Sequence, residues 1–111
     1  MMKSILCALF VGVYFLCVGQ SRTCDTLYIK TSALCHDCKQ RIESTLNFQK
    51  GVKYAELDLD SKIATVIYKP KKSSPLKLRQ ALSNVGYDAD DIKADPSAVM
   101  LLPKCCQPGG H

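Results

Sequence analysis

The chain is short, weakly basic and rich in cysteine, with 111 residues, a formal net charge of +5 and seven cysteines. That length suffices for one small domain with a single core and excludes a large multidomain enzyme. Positive charge becomes dense only at Lys69, Lys71 and Lys72, with no aromatic platform or recognition motif beside it, so we expect a solvated turn there and no nucleic-acid partner.

The first segment has the layout of a secretory signal peptide. Lys3 precedes an almost entirely apolar run from Ile5 to Val18, and small residues follow at Gly19 and Ser21. The run is shorter than the roughly 18 residues that argue for a membrane-spanning helix. We therefore assign residues 1–19 to a signal peptide cleaved after Gly19 or Ser21. We expect an exported protein, periplasmic or extracellular, without a stable membrane anchor.

The next segment is predicted as strand, helix and strand. The run from Leu27 to Ile29 favours a strand, and apolar residues at helical spacing then predict a helix that begins near His36 and includes Leu46 on its buried side. Gly51 ends this helical region. Residues 55–59 alternate between apolar and charged side chains, which is typical of a strand with one face in water.

Cys35 and Cys38 lie at the junction between the first strand and the first helix. Backbone N–H groups and the positive end of the helix dipole stabilise negative charge at such a position, which favours the thiolate form. Two thiolates suit Cu(I), and Hg(II) accepts the same geometry, whereas Zn(II) prefers four ligands. Redox enzymes, zinc sites and disulfide frameworks also use this spacing. The pair therefore indicates a soft-metal site, with Cu(I) as the first choice and Hg(II) or Zn(II) as alternatives.

Two polar residues stand between these cysteines. His36 is a candidate accessory ligand, although neighbouring residues at a helix start point in different directions, which favours a solvent-facing position. Asp37 in the first turn is most simply explained by its favourable interaction with the helix dipole.

The second half of the domain is predicted as strand, helix and strand. Residues 63–68 are predicted to form a third strand, with Ala64, Val66 and Tyr68 on its inward face. Ser74 and Pro75 are the cap and first-turn residues of a second helix, and Gly86 ends it. Residues 87–92 are predicted to form a short fourth strand. The order βαββαβ predicts an α+β, ferredoxin-like sandwich, with a four-stranded antiparallel sheet and two helices on one face.

Residues 95–111 are a C-terminal extension with a short helix and a tail that contains Cys105, Cys106 and His111. One hypothesis is that these three residues form an accessory metal site that feeds the cysteine pair. The apolar run at residues 99–102 is expected to cover the open face of the sheet or to contact a partner.

The other hypothesis for the tail is a disulfide from Cys24 to Cys105 or Cys106. Signal cleavage leaves an odd number of cysteines, which implies at least one free or metal-bound thiol. The start of the first strand and the end of the fourth lie at the same edge of a βαββαβ sheet. An oxidising compartment favours pairing of spare thiols, so we expect this disulfide, with the accessory metal site as the alternative.

The segment from Thr26 to Lys93 resembles the heavy-metal-associated domains of copper chaperones, metal-pump amino-terminal domains and the periplasmic mercuric-ion carrier. The resemblance lies in the spacing of several motifs that follow Cys38. These motifs are Ile42-Glu43, Leu46, Gly51-Val52, Lys62–Val66, Ser74-Pro75 and Asn84–Ala89. The resemblance implies the βαββαβ fold over residues 24–94, with Cys35 and Cys38 as the metal ligands.

The resemblance also implies a role for Tyr87, and the chain departs from the family pattern just before Cys35. Tyr87 would shield or tune the metal site without being a ligand, and a core-edge aromatic is the alternative. This chain has Ser32-Ala33-Leu34 where the family places Gly-Met-x before its first cysteine. Ala33 is too small for the space of the methionine, which leaves Leu34 as the candidate to fill it.

The predicted function is carriage of one ion, most simply Cu(I), followed by ligand exchange with a partner thiolate. The predicted partner is a metal-transporting membrane pump or another metal-binding domain. We expect a monomer that is not an enzyme, with a metal-bridged dimer as the alternative. Two other classes remain open: an exported thiol–disulfide oxidoreductase and a disulfide-bridged structural or interaction domain. The chain is too short for a thioredoxin-like sheet with an additional leading unit.

Overall fold

The computed structural model describes residues 23–108, so the predicted signal peptide and His111 lie outside the described residues. Its elements are β1 (Asp25–Lys30), α1 (His36–Asn47), β2 (Val52–Asp58), β3 (Ile63–Tyr68), α2 (Pro75–Asn84), α3 (Pro96–Val99) and a 3-10 turn (Lys104–Cys106). None of the helices between residues 23 and 108 is long and apolar enough to cross a membrane.

The sheet is antiparallel with the strand order β1-β3-β2. Ala64 on the central strand lies opposite both Ile29 and Leu57, and Val66 lies opposite Ala55. All five side chains are buried, because alternation along each strand places them on one face. The predicted alternation of the first three strands is confirmed.

The two long helices contribute to the same core as this face of the sheet. Ile42 and Leu46 of α1 and Leu78 and Leu82 of α2 are fully buried in that core. The predicted start of α2 is confirmed, since the Ser74 hydroxyl accepts a hydrogen bond of 3.2 Å from the backbone N–H of the third helical residue. The α+β class is therefore as predicted.

The predicted fourth strand at residues 87–92 does not form, and the sheet of the described chain has three strands. Ala89 and Ile92 exchange two backbone hydrogen bonds of 2.9 and 3.0 Å, and Asp90 between them has a φ of 52°. This tight turn replaces extended backbone. Asp90 still meets the edge of β1, because its N–H donates to the Lys30 carbonyl at 2.8 Å and its carboxylate accepts from the Lys30 N–H at 2.9 Å.

Residues 94–108, which we call the C-terminal strap, fold back onto the helical side of the domain. The Asp95 N–H donates to the Ser83 carbonyl at 2.9 Å, and Leu102 is buried in the core. A Cβ atom on Gly86 would lie 3.2 Å from the Ala98 backbone and 3.0 Å from a Leu102 methyl group. The expectation that residues 99–102 cover the open sheet face is wrong, since the strap docks beside the end of α2.

Candidate metal centre

The cysteine pair is positioned by the start of α1. Cys35 is the N-cap residue with extended backbone, and Cys38 lies in the first turn, where it is fully buried. The Lys39 N–H donates to the Cys35 carbonyl at 3.1 Å, which closes the first helical turn around the pair. The two sulfur atoms are 3.3 Å apart. The structure thus brings both predicted ligands to one point at a helix N-terminus.

The strap brings two further thiols to the same point. The Cys35 sulfur lies 3.2 Å from the Cys105 sulfur and 3.5 Å from the Cys106 sulfur. The two strap sulfurs are 3.9 Å from one another. Cys35 therefore contacts three other cysteine sulfurs, including that of Cys38, and we call these four residues the thiol cluster.

The expected disulfide from Cys24 to Cys105 or Cys106 does not form in this structure, where all the cysteines between residues 23 and 108 are free. The strap turns toward α1 rather than along the sheet edge, because Leu102 is buried beside Gly86. Cys24 lies outside the thiol cluster, with the Thr23 hydroxyl 4.0 Å from its sulfur.

The local environment shifts the pKa values of Cys35, Cys105 and Cys106 in different directions. Burial opposes ionisation of Cys35, but the backbone N–H of Cys38 and the neighbouring thiols outweigh it and lower the pKa of Cys35 to about 7. Burial, followed by the contact with Cys38, raises the pKa of Cys106. The contact with Cys35 and partial burial raise the pKa of Cys105, whose thiol also donates to the Asp37 carboxylate at 3.5 Å. Cys35 is therefore ionised before Cys105 and Cys106.

Tyr87 lies beneath the cluster, and its ring is fully buried. Burial raises the pKa of its hydroxyl, and the Cys106 and Cys38 thiols beside it raise the pKa further. The hydroxyl faces these thiols without a hydrogen bond of ordinary geometry. Tyr87 is thus both a core residue and a neighbour of the sulfurs, and its shielding role stays a prediction.

Within residues 23–108, the predicted accessory residue His36 does not join the cluster. His36 is exposed, and its Nε2 atom lies 3.4 Å from the amide nitrogen of Gln40. The tail residue His111 falls outside the described part of the chain. Of the predicted accessory ligands that the structure describes, only the two strap cysteines are brought against Cys35.

Comparison with known proteins matches residues 30–88 to the heavy-metal-associated domain family. Copper-transporting ATPase 1 of Rattus norvegicus is 36% identical over 66 residues, which are 60% of this chain and 4% of the ATPase. The chain therefore spans only a small fraction of that relative. The family match ends before the strap begins.

Two solved structures have the same fold. The CopZ metallochaperone superposes with a TM-score of 0.56 at 27% identity, covering 59% of this chain and 98% of its own. The N-terminal domain of a potential copper-translocating P-type ATPase from Bacillus subtilis, in its Cu(I)-loaded state, has a TM-score of 0.56 at 28% identity. That match covers 65% of this chain and 99% of the domain.

Proposed function

This chain belongs to the heavy-metal-associated domain family, and we propose that it carries one Cu(I) ion on Cys35 and Cys38 and passes it to a partner by thiolate exchange. The observation that carries this proposal is the pair of sulfurs 3.3 Å apart at the N-terminus of α1. The low pKa of Cys35, about 7, makes one thiolate available near neutral pH.

The choice of Cu(I) has two supports. Soft thiolate ligands select Cu(I) over hard cations, and a two-sulfur site does not satisfy the tetrahedral preference of Zn(II). The similar proteins include a copper-transporting ATPase and a domain solved in its Cu(I)-loaded state. Hg(II) and Zn(II) are the alternative cargoes.

The proposed transfer is a ligand exchange in which the protein is not an enzyme. Cys35 binds the ion as a thiolate, and Cys38 loses its proton as it becomes the second ligand. A partner thiolate then forms a bond to the ion as the bond to one of the two cysteines breaks, and a second partner thiolate displaces the other cysteine in the same way. Each released sulfur takes a proton from solvent. No electrons are transferred. The helix N-terminus stabilises negative charge on the pair throughout.

We propose a metal-transporting membrane pump or another metal-binding domain as the partner, by analogy with the copper-transporting relatives. Export to the periplasm or the extracellular space is part of the same proposal, and it is supported by the apolar segment that follows Lys3. A monomer suits this role, because a metal-bridged dimer would occupy the position that the partner thiolate must reach.

The proposal is tested by Cu(I) competition against a chromogenic chelator on the fully reduced full chain. Cys35→Ser and Cys38→Ser are each expected to lower the Cu(I) affinity by about 100-fold or more while the circular dichroism spectrum stays unchanged. Cys24→Ser is the matched control, since Cys24 lies outside the thiol cluster. Unchanged Cu(I) affinity in both cluster variants would refute the site. A parallel titration with Hg(II) and Zn(II) would identify a different cargo on the same site.

A further inference from the structure

The strap holds its two thiols in place. The Ser83 hydroxyl donates to the Lys93 carbonyl at 2.7 Å where the strap begins. Near its end, the Gln107 side-chain amide donates to the Leu102 carbonyl at 2.8 Å. The Cys106 N–H donates to the Pro103 carbonyl at 2.8 Å and closes the 3-10 turn. Cys105 and Cys106 are therefore part of a docked segment rather than a free tail.

The sulfur separations suit a site with more than two ligands. For metal–sulfur bonds of about 2.3 Å, sulfurs lie about 3.8 Å apart in a tetrahedral site, about 4.0 Å in a trigonal site and about 4.6 Å in a linear one. The Cys35 sulfur lies 3.2 to 3.5 Å from the other three sulfurs, and the strap sulfurs are 3.9 Å apart. The sulfurs of Cys35, Cys105 and Cys106 all lie within 4.8 Å of one another, whereas Cys38 is outside that group and has to move toward the strap to become a fourth ligand. The Cys35 and Cys38 sulfurs would have to move apart by about a further 1.3 Å to form a linear site, but by only about 0.5 Å to reach tetrahedral spacing.

Burial distinguishes the roles of the strap thiols. Cys106 is 2% exposed and adjoins both Cys35 and the Tyr87 hydroxyl. Cys105 is only partly buried and lies at the rim beside Asp37. A thiolate from outside the protein would therefore reach the Cys105 side of the cluster before it reaches Cys106.

We propose that Cys105 and Cys106 are additional ligands of the ion held by Cys35 and Cys38, so that the strap closes a two-sulfur site into one with three or four sulfurs. This inference rests on the proposed function for the location of the ion. Four thiolates also satisfy the tetrahedral preference of Zn(II), which two thiolates cannot. The strap thus widens the range of cargo to tetrahedral thiophilic ions.

The strap also supplies the first ligand to leave. A partner thiol loses its proton and forms a metal–sulfur bond, the bond between the ion and Cys105 breaks, and the departing sulfur takes a proton from solvent. The oxidation state of the ion does not change. Cys106 remains bound beneath the ion, so transfer proceeds with an intermediate that still has sulfur ligands from both α1 and the strap.

The test compares Zn(II) and Cu(I) on the same reduced variants of the full chain. The double variant Cys105→Ser/Cys106→Ser is expected to lose Zn(II) affinity by about 100-fold or more, because changes to residues that only support the ligands already cost 10- to 100-fold. It is expected to keep Cu(I) on the Cys35–Cys38 pair. Cys24→Ser again serves as the matched control and should bind both ions like the parent chain.

Two spectroscopic measurements report the ligand number directly. X-ray absorption at the copper edge should show three or four sulfurs in the parent chain and two in the double variant. Co(II), used in place of Zn(II), should give the ligand-field absorption of a tetrahedral thiolate site only in the parent chain. Leu102→Ala keeps every thiol but weakens strap docking, and it should reduce Zn(II) affinity in the same direction as the double variant.

The outcomes separate the two proposals. Two sulfurs on Cu(I) in the parent chain, together with Zn(II) affinity unchanged in the double variant, would overturn the closed site and leave the Cys35–Cys38 carrier intact. Unchanged binding of both ions in Cys35→Ser would overturn the carrier and the closed site together. Loss of Zn(II) in the double variant, with Cu(I) retained, supports both.

Discussion

Gly86→Ala is expected to release the strap, because this glycine combines a restricted backbone with a close approach of the strap. Its φ is +103°, and a Cβ atom would lie 3.2 Å from the Ala98 carbonyl group and 3.0 Å from Leu102 Cδ1. Left-handed backbone costs an L-residue roughly 1–2 kcal/mol, and the contact with strap backbone adds to that cost. We expect the free energy of unfolding to fall by about 2–3 kcal/mol.

Gly51→Ala is the matched control for this substitution. Gly51 also has a positive φ, +87°, and a Cβ atom there would lie 2.7 Å from Lys72 Cβ. Both substitutions therefore impose backbone strain and a close contact, but only Gly86 touches the strap. Comparable losses in unfolding free energy are expected in urea denaturation, so global stability alone does not distinguish the two variants.

The distinguishing assay is the rate at which a thiol reagent modifies Cys106, which is 2% exposed in the parent fold. Under native conditions Gly86→Ala should speed this reaction at least 10-fold, whereas Gly51→Ala should leave it within a factor of about 3 of the parent rate after correction for global stability. Mass spectrometry of the modified peptide identifies the residue. Equal rates in the two glycine variants would refute the role of Gly86 in docking the strap.

Two further predictions concern Glu43 and Tyr87. Burial opposes ionisation of Glu43, but hydrogen bonds from Lys39 Nζ and the Leu57 N–H outweigh it and lower the pKa of Glu43. The ionised carboxylate therefore stabilises the fold above its unfolded pKa of roughly 4.3, and this stabilisation is lost as pH falls through the folded pKa. Glu43→Gln should lower the free energy of unfolding, measured in urea, by about 1 kcal/mol at pH 7 and by much less at pH 3. An equal loss at both pH values would contradict this. Tyr87→Phe removes a buried hydroxyl without an ordinary hydrogen bond, so stability and Cu(I) affinity should change little, and loss of Cu(I) binding would make the hydroxyl part of the site.

The parts of the fold predicted correctly are those controlled by local pattern. Toward its end, strand β2 alternates buried apolar with exposed charged side chains, so its alternation is visible in the sequence. The start of α2 follows from the Ser74 cap and the proline after it. The prediction of a fourth strand was wrong because residues 87–92 contain a turn at Asp90. The Asp90 carboxylate accepts the hydrogen bond from the Lys30 N–H that a neighbouring strand would otherwise accept.

The candidate site was predictable only in part, because local sequence pattern does not predict contacts between distant residues. Cys35 and Cys38 are three residues apart, so their meeting at a helix start follows from local geometry. Cys105 contacts Cys35 across 70 positions of the chain, and that contact depends on where Leu102 is buried. The sequence favoured Cys24 as the neighbour of the tail thiols, because motif spacing carries no information about where the strap docks.

The proposed closed site would change which partners can accept the ion. In an open two-sulfur site, a partner with two thiolates matches the donor in ligand number, and exchange is nearly balanced. With Cys105 and Cys106 added, such a partner offers fewer thiolates than the donor, so equilibrium favours retention. Efficient transfer would then require a partner that also disturbs the strap. The exposed surface of the strap includes Met100, which is 80% exposed, and Leu101, which is 85% exposed, and a partner that contacts these side chains would disturb it. Docking and release of the ion would then be one coupled step, in which retention persists until the correct partner binds.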